Sequence, residues 1–202
     1  MNLPDRIRLP FRFDADALRG DLANLPDDAW TPHFNQAIYE GDWSGVALRS
    51  VGGTIAIYPD PTRTDEFADT EHLARCPNIA RVLGELRCPL QSARLLRLGP
   101  GASIKPHDDY RLSFADGEVR MHVPITTDDA VEFLLDGTPV DMAAGECWYM
   151  DFTKTHAVTN RGAEPRINLV VDCNVNEWLT AQLEEGARQV VAVGAPPIEE
   201  DG

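Results

Sequence analysis

Seven short runs of strand-forming residues between residues 93 and 173 constrain the fold of this chain more than any other feature. Gly, Pro, Asn or Asp separates one run from the next, at intervals of about ten residues. The runs are ARLLRLG, VRMHVPIT, VEFLLD, TPVDM, ECWYMDF, THAVTN and RINLVVDC. Asp136 and Gly137 lie between two of them and are a strong signal for a tight β-hairpin. Short strands at this spacing are typical of an antiparallel sandwich or barrel, so we expect a mostly β fold.

Helical patterns flank the β segment on both sides. Residues 14–25 begin with an Asp that can cap a helix and carry Leu at helical spacing. Residues 71–86 predict a helix, and Pro77 is expected to begin a second short helix within that range. Residues 46–58 predict a strand interrupted by a Gly-Gly turn. Residues 176–191 predict a closing amphipathic helix.

The length of 202 residues suits a single compact domain. Within it we expect a helical and strand-containing flank over residues 1–92, packed on a β core over residues 93–175. A C-terminal helix and a frayed acidic tail are expected over residues 176–202. Nothing in the sequence fixes the oligomeric state.

The charge balance excludes some classes of partner. A net charge of −15 and a pI of about 4.6 argue against non-specific binding to nucleic acid or to an anionic membrane surface. No stretch approaches the roughly 18 consecutive apolar residues of a membrane span, and the amino terminus lacks the apolar segment of a signal peptide. Four scattered cysteines without a C-x-x-C pair indicate reduced thiols. We therefore expect a cytoplasmic protein.

A histidine and an aspartate with strand spacing suggest a metal site. His107 and Asp109 are two residues apart, so on a strand they would share a face while Asp108 points away. An antiparallel pairing can bring His156, from a later strand, to the same place. Two imidazoles and one carboxylate form the ligand set of non-haem Fe(II) oxygenases and leave coordination positions open. A closed zinc site would instead require four protein ligands, usually including cysteines.

Two arginines and a further histidine are candidates for the same cavity. The planar guanidinium of Arg166, on the strand after His156, suits two-point binding of a carboxylate such as the distal one of 2-oxoglutarate. Arg120 and His122 share a face by the same strand spacing and are interpreted as a polar pair lining the cavity. The alternatives are a surface ion pair for Arg166, a salt bridge at a sheet edge for Arg120, and a satisfied core histidine for His122.

Taken together, these motifs resemble a known family. RLLRLGPGASIKPHDD, RMHVPI, GECWYMDFTKTHAVTNRG and RINLVVD are similar to the aspartyl/asparaginyl β-hydroxylase family of Fe(II)/2-oxoglutarate-dependent oxygenases. Within that family the chain most resembles the bacterial branch that includes L-proline cis-4-hydroxylase. The resemblance covers residues 93 to 175 well. It implies a double-stranded β-helix, a jelly-roll of the cupin kind with flanking helices, with iron at one open end.

The resemblance also implies roles for individual residues. His107, Asp109 and His156 would bind Fe(II), Arg166 would hold the distal carboxylate of 2-oxoglutarate, and the pair Arg120 and His122 would contact the cosubstrate. The animal aspartyl β-hydroxylases lack the carboxylate ligand, so Asp109 favours the bacterial amino-acid hydroxylase type of site. With that carboxylate in place no coordination position is free for halide, and hydroxylation is expected rather than halogenation.

The implied activity is hydroxylation of an unactivated C–H bond with dioxygen, with ascorbate as an additive for activity in vitro. The strong negative charge would repel an acidic protein partner, so we expect a free amino acid or amino-acid derivative as substrate. Arg97 and Trp148 are candidate substrate contacts, and Trp43 and Tyr149 are further candidates for the pocket wall. The alternatives are a peptidyl aspartyl/asparaginyl β-hydroxylase, a cupin-type isomerase or dioxygenase that does not use 2-oxoglutarate, and a non-catalytic binding module.

Overall fold

Two antiparallel β-sheets form the body of the protein in a computed structural model that describes residues 3–57 and 66–194. The strands are β1 (Arg6–Arg12), β2 (Thr31–Pro32), β3 (Tyr39–Glu40), β4 (Trp43–Val51), β5 (Phe67–Asp69), β6 (Leu90–Leu98), β7 (Ser103–His107), β8 (Glu118–Thr126), β9 (Val131–Leu135), β10 (Thr138–Pro139), β11 (Glu146–Met150), β12 (His156–Asn160) and β13 (Arg166–Asn174). The helices are α1 (Ala15–Leu22), α2 (Pro77–Glu85) and α3 (Glu177–Gly194). Short 3₁₀ helices occupy Asp27–Ala29, Gln36–Ile38, Leu73–Arg75 and Phe114–Asp116.

The strand order is that of a jelly-roll. The large sheet has the order β1-β11-β8-β13-β6-β4-β2, with β5 paired to β4, and the small sheet has the order β10-β9-β12-β7-β3. From β6 onward the chain crosses repeatedly between the sheets: β6, β8, β11 and β13 belong to the large sheet, and β7, β9, β10 and β12 to the small one. The predicted double-stranded β-helix with flanking helices is therefore confirmed.

Alternation along the strands of the large sheet creates two apolar cores. On β13, Leu169 and Val171 pack against helix residues such as Leu18 and Leu179 in one core. Val170, which points the opposite way, lines the space between the two sheets. A second core fills part of that space and includes Leu98, Ile104, Phe133, Leu135, Phe152 and Val158. The cavity described below is the part of this space that the second core leaves open.

The N-terminal residues contribute strands to both sheets, which the sequence interpretation did not anticipate. β1 pairs with β11, β4 pairs with β6, and β3 pairs with β7, so strand pairing crosses the expected boundary at residue 93. These pairings cover backbone edges of β11 and β6 that would otherwise be exposed. The described residues before 93 are therefore part of the sheets as well as a helical flank.

The predicted local signals are mostly confirmed. Asp14 caps α1, because its side chain accepts hydrogen bonds from the backbone N–H groups of Asp16 at 3.0 Å and Ala17 at 3.1 Å. Pro77 is the first residue of α2, after a separate 3₁₀ turn. Asp136 and Gly137 have φ angles of 51° and 71° and join β9 to β10 in the expected hairpin.

The strand predicted over residues 46–58 and the helix predicted over residues 176–191 have different bounds in the structure. β4 ends at Val51, directly before the predicted Gly-Gly turn, but the described residues 54–57 after the turn do not resume a strand. Residue 58, the predicted end of that strand, lies outside the described residues. The closing helix α3 runs over Glu177–Gly194, and the predicted acidic tail that follows also lies outside the described residues.

Gly145 is a position where only glycine fits. Its φ is +81°, and a Cβ there would lie 2.2 Å from the carbonyl oxygen of Phe13. The backbone cannot retreat easily, since Phe13 N–H donates to the Gly145 carbonyl at 2.7 Å and Gly145 N–H donates to the Pro124 carbonyl at 2.8 Å. Gly117 is a matched control, because its φ of +83° is similar but no atom lies within 4 Å of its Cβ position.

We expect Gly117→Ala to lower the free energy of unfolding by about 1 kcal/mol through left-handed backbone strain alone. Gly145→Ala should cost a further ~1–3 kcal/mol, because the new methyl group overlaps a fixed carbonyl. Urea denaturation of both variants measures the difference. Equal losses in the two variants would contradict the close approach of Phe13.

Candidate metal centre

Two histidines from neighbouring strands of the small sheet meet at one end of the jelly-roll. His107 is the last residue of β7 and His156 is the first residue of β12. The antiparallel register pairs them directly, and their ring centroids are 4.2 Å apart. The structure thus places His156, from a later strand, beside His107 as predicted.

Asp109 completes the cluster, although it does not lie on the strand that was expected to carry it. β7 ends at His107, and the backbone N–H of Asp109 donates instead to the carbonyl of Phe152 at 2.8 Å. One ligand atom from each of His107, Asp109 and His156 lies within 4.8 Å of the others. Asp108 is exposed and is not a member of this cluster.

Backbone carbonyls orient both imidazoles in the same way. Nδ1 of His107 lies 2.8 Å from the carbonyl oxygen of Lys105, and Nδ1 of His156 lies 3.1 Å from the carbonyl oxygen of Lys154. A proton on each Nδ1 satisfies these contacts and leaves the Nε2 lone pair for a metal. Burial lowers the pKa of His156 to about 4, so this ring is neutral at physiological pH.

Aromatic side chains hold the site rigid and apolar. The ring of Phe152 meets His156 edge-on at a centroid distance of 4.8 Å, and Phe133 lies parallel to His156 at 6.4 Å. His122 stacks on Phe152 at 5.0 Å. Both phenylalanines are almost fully buried, which limits the access of water to this wall of the site.

A chain of alternating charges leads away from Asp109. Arg120 Nη1 donates to Asp109 Oδ2, while Nε and Nη2 of the same guanidinium donate to the two oxygens of Asp172 at 2.6 and 3.0 Å. Asp172 Oδ2 also accepts from Arg94 Nη2 at 2.7 Å and from Ser92 Oγ at 2.8 Å. Burial alone would raise the pKa of Asp172, but the charges of Arg120 and Arg94 outweigh it and hold that pKa below its usual value.

The same carboxylates act on Arg120 in return. Burial alone would lower the pKa of Arg120, but Asp172 and Asp109 raise it above its usual value. The guanidinium is thus permanently charged and committed to two carboxylates. This arrangement goes beyond the predicted cavity-lining role of Arg120. The salt bridges also differ from the sheet-edge pair considered as the alternative, because Arg120 and Asp172 are opposed residues on the inner strands β8 and β13.

Arg166 is a buried cation at the start of β13. It is 5% exposed, and its guanidinium carbon lies 5.8 Å from the ring centroid of Phe133. In the parts of the chain that the structure describes, no carboxylate forms an ion pair with it, and burial lowers its pKa to about 10. Burial of a guanidinium without a carboxylate partner is costly.

Asn168 links Arg166 to His122, a contact that the sequence analysis missed. In the amide orientation that satisfies all three groups, the Asn168 side-chain oxygen accepts from Arg166 Nη2 at 2.6 Å and from His122 Nδ1 at 3.2 Å. Burial, with the nearby charge of Arg166, places the pKa of His122 well below its usual value. His122 is therefore a neutral ring with its Nδ1 occupied.

Six of the predicted site residues line one cavity of about 380 Å³. They are His107, Asp109, His156, Arg166, Arg120 and His122. The N-terminal segment supplies a further wall, where His33 and Trp43 stack with ring centroids 3.7 Å apart. Trp43 was a predicted wall residue, whereas Tyr149 lies in the core beneath the helices and its hydroxyl accepts from Phe114 N–H at 3.2 Å.

Arg97, a predicted substrate contact, does not reach this cavity. On β6, Arg94 and Leu96 face the cavity, and Arg97 points to the opposite side of the sheet. There its Nε donates to Ser44 Oγ at 3.1 Å and its guanidinium lies 4.5 Å from the Trp30 ring centroid. Arg94 is the arginine of β6 that lines the cavity.

Trp148, the other predicted substrate contact, lines a neighbouring groove instead of this cavity. Register places it opposite His122, on the inner face of the large sheet. Its indole N–H donates to Glu146 Oε2 at 3.0 Å, which holds the ring away from the metal cluster.

Comparison with solved structures confirms the fold. An oxidoreductase of the 2OG-Fe(II) oxygenase family from Burkholderia pseudomallei matches with a TM-score of 0.56 and 17% identity, covering 85% of each chain. The non-haem alpha-ketoglutarate-dependent epimerase SnoN from nogalamycin biosynthesis matches with a TM-score of 0.51 and 17% identity, covering 83% of this chain and 76% of that one. At these identities the likeness shows that the chain shares the fold of these two proteins.

The family follows from the sequence itself. The model of the aspartyl/asparaginyl beta-hydroxylase family matches residues 12–175, which include all three residues of the metal cluster. The chain belongs to this family. Among the described residues, no helix combines the length and apolarity needed to cross a bilayer.

Proposed function

We propose that this protein is an Fe(II)/2-oxoglutarate-dependent dioxygenase that hydroxylates an unactivated C–H bond of a small substrate. The observation that carries this proposal is the pairing, in one cavity, of a His-Asp-His cluster with a buried arginine that has no acidic partner among the described residues. Membership of a hydroxylase family supports the same type of chemistry.

The donor atoms of the cluster suit ferrous iron. His107, Asp109 and His156 offer two imidazoles and one carboxylate, which would leave half of an octahedral coordination sphere open. A closed zinc site would need a fourth ligand, and none of the four free cysteines belongs to the cluster found among the described residues. Bound ferrous iron, with 2-oxoglutarate and dioxygen, would supply the oxidising power that replaces C–H by C–OH.

The surroundings of Arg166 suit the distal carboxylate of 2-oxoglutarate. Its planar donors can bind both oxygens of a carboxylate, and the Asn168 side-chain oxygen fixes one side of the guanidinium. Because the site is desolvated, this ion pair would be stronger than one at the surface. The cosubstrate contacts predicted for Arg120 and His122 remain predictions, and each residue retains a polar N–H or ring nitrogen beyond the contacts described above.

A free amino acid or a small amino-acid derivative fits the remaining space best. The cavity of about 380 Å³ must hold both cosubstrate and substrate, which leaves room for a small molecule. The net charge of −15 disfavours an acidic protein as substrate. Similarity to the L-proline cis-4-hydroxylase branch and a cytoplasmic location remain predictions.

A peptidyl aspartyl/asparaginyl β-hydroxylase, as the family description suggests, is the second candidate. A cupin-type isomerase, or a dioxygenase that does not use 2-oxoglutarate, would leave Arg166 without a role. A non-catalytic binding module would bind ligand without metal-dependent turnover.

Incubation of the purified protein with Fe(II), ascorbate and 2-oxoglutarate, against pooled amino acids and their N-acylated forms, tests the proposal. We expect succinate to form, and one component of the pool to gain the mass of one oxygen atom. Omission of 2-oxoglutarate should stop both. Oxygen incorporation that continues without 2-oxoglutarate would favour the dioxygenase alternative, and the absence of both products from amino acids and peptides alike would contradict the proposal.

A further inference from the structure

We propose that Asp172 is a positioning residue of the metal centre: it holds Arg120 so that Arg120 occupies one oxygen of Asp109 and leaves only the other for the metal. This inference rests on the proposed function, because it assumes that His107, Asp109 and His156 bind iron. It concerns Arg120 and Asp172 in a role that differs from contact with the cosubstrate.

The plane of the Arg120 guanidinium is fixed. Asp172 accepts from both Nε and Nη2, at 2.6 and 3.0 Å, in a two-point contact that sets the orientation of the group. The two residues are directly opposed in the register of β8 and β13, so the backbone enforces the contact. The remaining corner of the guanidinium, Nη1, then projects to Asp109 Oδ2.

Asp172 is itself held in place by two donors from β6. Arg94 Nη2 and Ser92 Oγ both donate to its Oδ2, at 2.7 and 2.8 Å. A shift of register between β6 and β13, located between Val171 and Cys173, allows these two residues of β6 to converge on one carboxylate. Asp172 is 7% exposed, so its contacts are little weakened by solvent. Its carboxylate accepts from both arginines and so offsets the repulsion between their charges.

The way in which Asp109 binds would decide how many coordination positions of the metal stay open. A carboxylate can bind a metal through one oxygen or through two. If Asp109 used both, the cluster would occupy four positions of an octahedral ion, but the proposed reaction requires three open positions: two for the 2-oxo acid group and one for dioxygen. Arg120 engages Oδ2 of Asp109 and leaves Oδ1 as the available donor. With Oδ1 as its only ligand atom, Asp109 would leave the third position open.

Binding of Co(II) alone, in the absence of cosubstrate and turnover, tests this inference. We expect Asp172→Asn to weaken Co(II) binding by about 10- to 100-fold. The visible absorption of the bound Co(II) should also change. Once Arg120 no longer engages Asp109 Oδ2, Asp109 can bind the metal through both oxygens. Glu132→Gln is the matched control: this carboxylate pairs with Arg161 at 3.1 Å on the exposed side of β9, so neither affinity nor spectrum should change.

Arg120→Lys provides a second measurement if Asp172→Asn does not fold. A lysine keeps the charge but cannot bridge two carboxylates with a fixed plane, so a smaller loss of affinity and the same spectral change are expected. Wild-type affinity and spectrum in a folded variant at either position would overturn the inference. Failure of the wild-type protein to bind Co(II) would overturn the proposed metal centre itself, which is a different outcome.

Discussion

Replacement of Arg166 by methionine is expected to abolish 2-oxoglutarate binding while making the ligand-free protein more stable. Burial lowers the pKa of the guanidinium to about 10, and no carboxylate among the described residues offsets the cost of its desolvation. Removal of that cost should raise the free energy of unfolding by about 1 kcal/mol. Loss of the buried ion pair to the cosubstrate should weaken its binding by about 100-fold or more, or ~3 kcal/mol.

Thermal unfolding with and without 2-oxoglutarate measures both effects in one series. The wild-type protein should be stabilised by the cosubstrate in the presence of a divalent metal, and Arg166→Met should not be. Arg161→Gln is the control, since this arginine is exposed and pairs with Glu132 at 3.1 Å. Cosubstrate binding that survives in Arg166→Met would mean that another group holds the distal carboxylate.

Asp109→Ala should remove activity almost completely, and Asp108→Ala should not. The two residues are adjacent, but only Asp109 lies with the two histidines, whereas Asp108 is exposed. With a carboxylate ligand missing, we expect succinate formation to fall by about 10³-fold or more, equivalent to ~4 kcal/mol of transition-state stabilisation. Asp108→Ala should retain far more activity, because Asp108 lines the cavity without belonging to the metal cluster.

Metal content, measured after dialysis against Fe(II) under anaerobic conditions, should follow the same pattern. The wild type and Asp108→Ala should retain one iron per chain, and Asp109→Ala should retain less. Equal losses of activity in the two variants, with equal iron content, would show that the choice between the neighbouring carboxylates is wrong.

The fold and the cluster were predictable because their signals are local or periodic. Turn residues separate the strands at regular intervals, and the Asp136-Gly137 pair fixes one hairpin directly. The H-x-D spacing selected the aspartate that lies with the histidines, although β7 had already ended at His107. His156 was paired with His107 by an antiparallel register that a sequence can suggest but not specify.

The sequence did not show that Arg97 points away from the cavity, because β6 lacks the alternation that distinguishes its two faces. Its outer face packs Ala93 and Leu95 under the helices, and its inner face carries Leu96 beside the cavity. A strand buried on both sides has a nearly continuous apolar sequence, so its pattern does not show which arginine points inward.

β1 was missed for a different reason, since its sequence RIRLPFR does alternate. Ile7 and Leu9 are buried while Arg8 is exposed, which is the usual pattern of a strand with one solvated face. The network around Asp172 had no local signal at all. Its partners Arg120 and Arg94 lie 52 and 78 residues away in the chain, and only the sheet brings them together.

Anomalous X-ray diffraction from a crystal grown without oxygen, with Mn(II) and 2-oxoglutarate, tests the central claim most directly. We predict one strong metal peak bound by His107, Asp109 through a single oxygen, and His156. The distal carboxylate of the cosubstrate should contact Arg166. A metal peak elsewhere, or a cosubstrate with its distal carboxylate directed away from Arg166, would contradict the account.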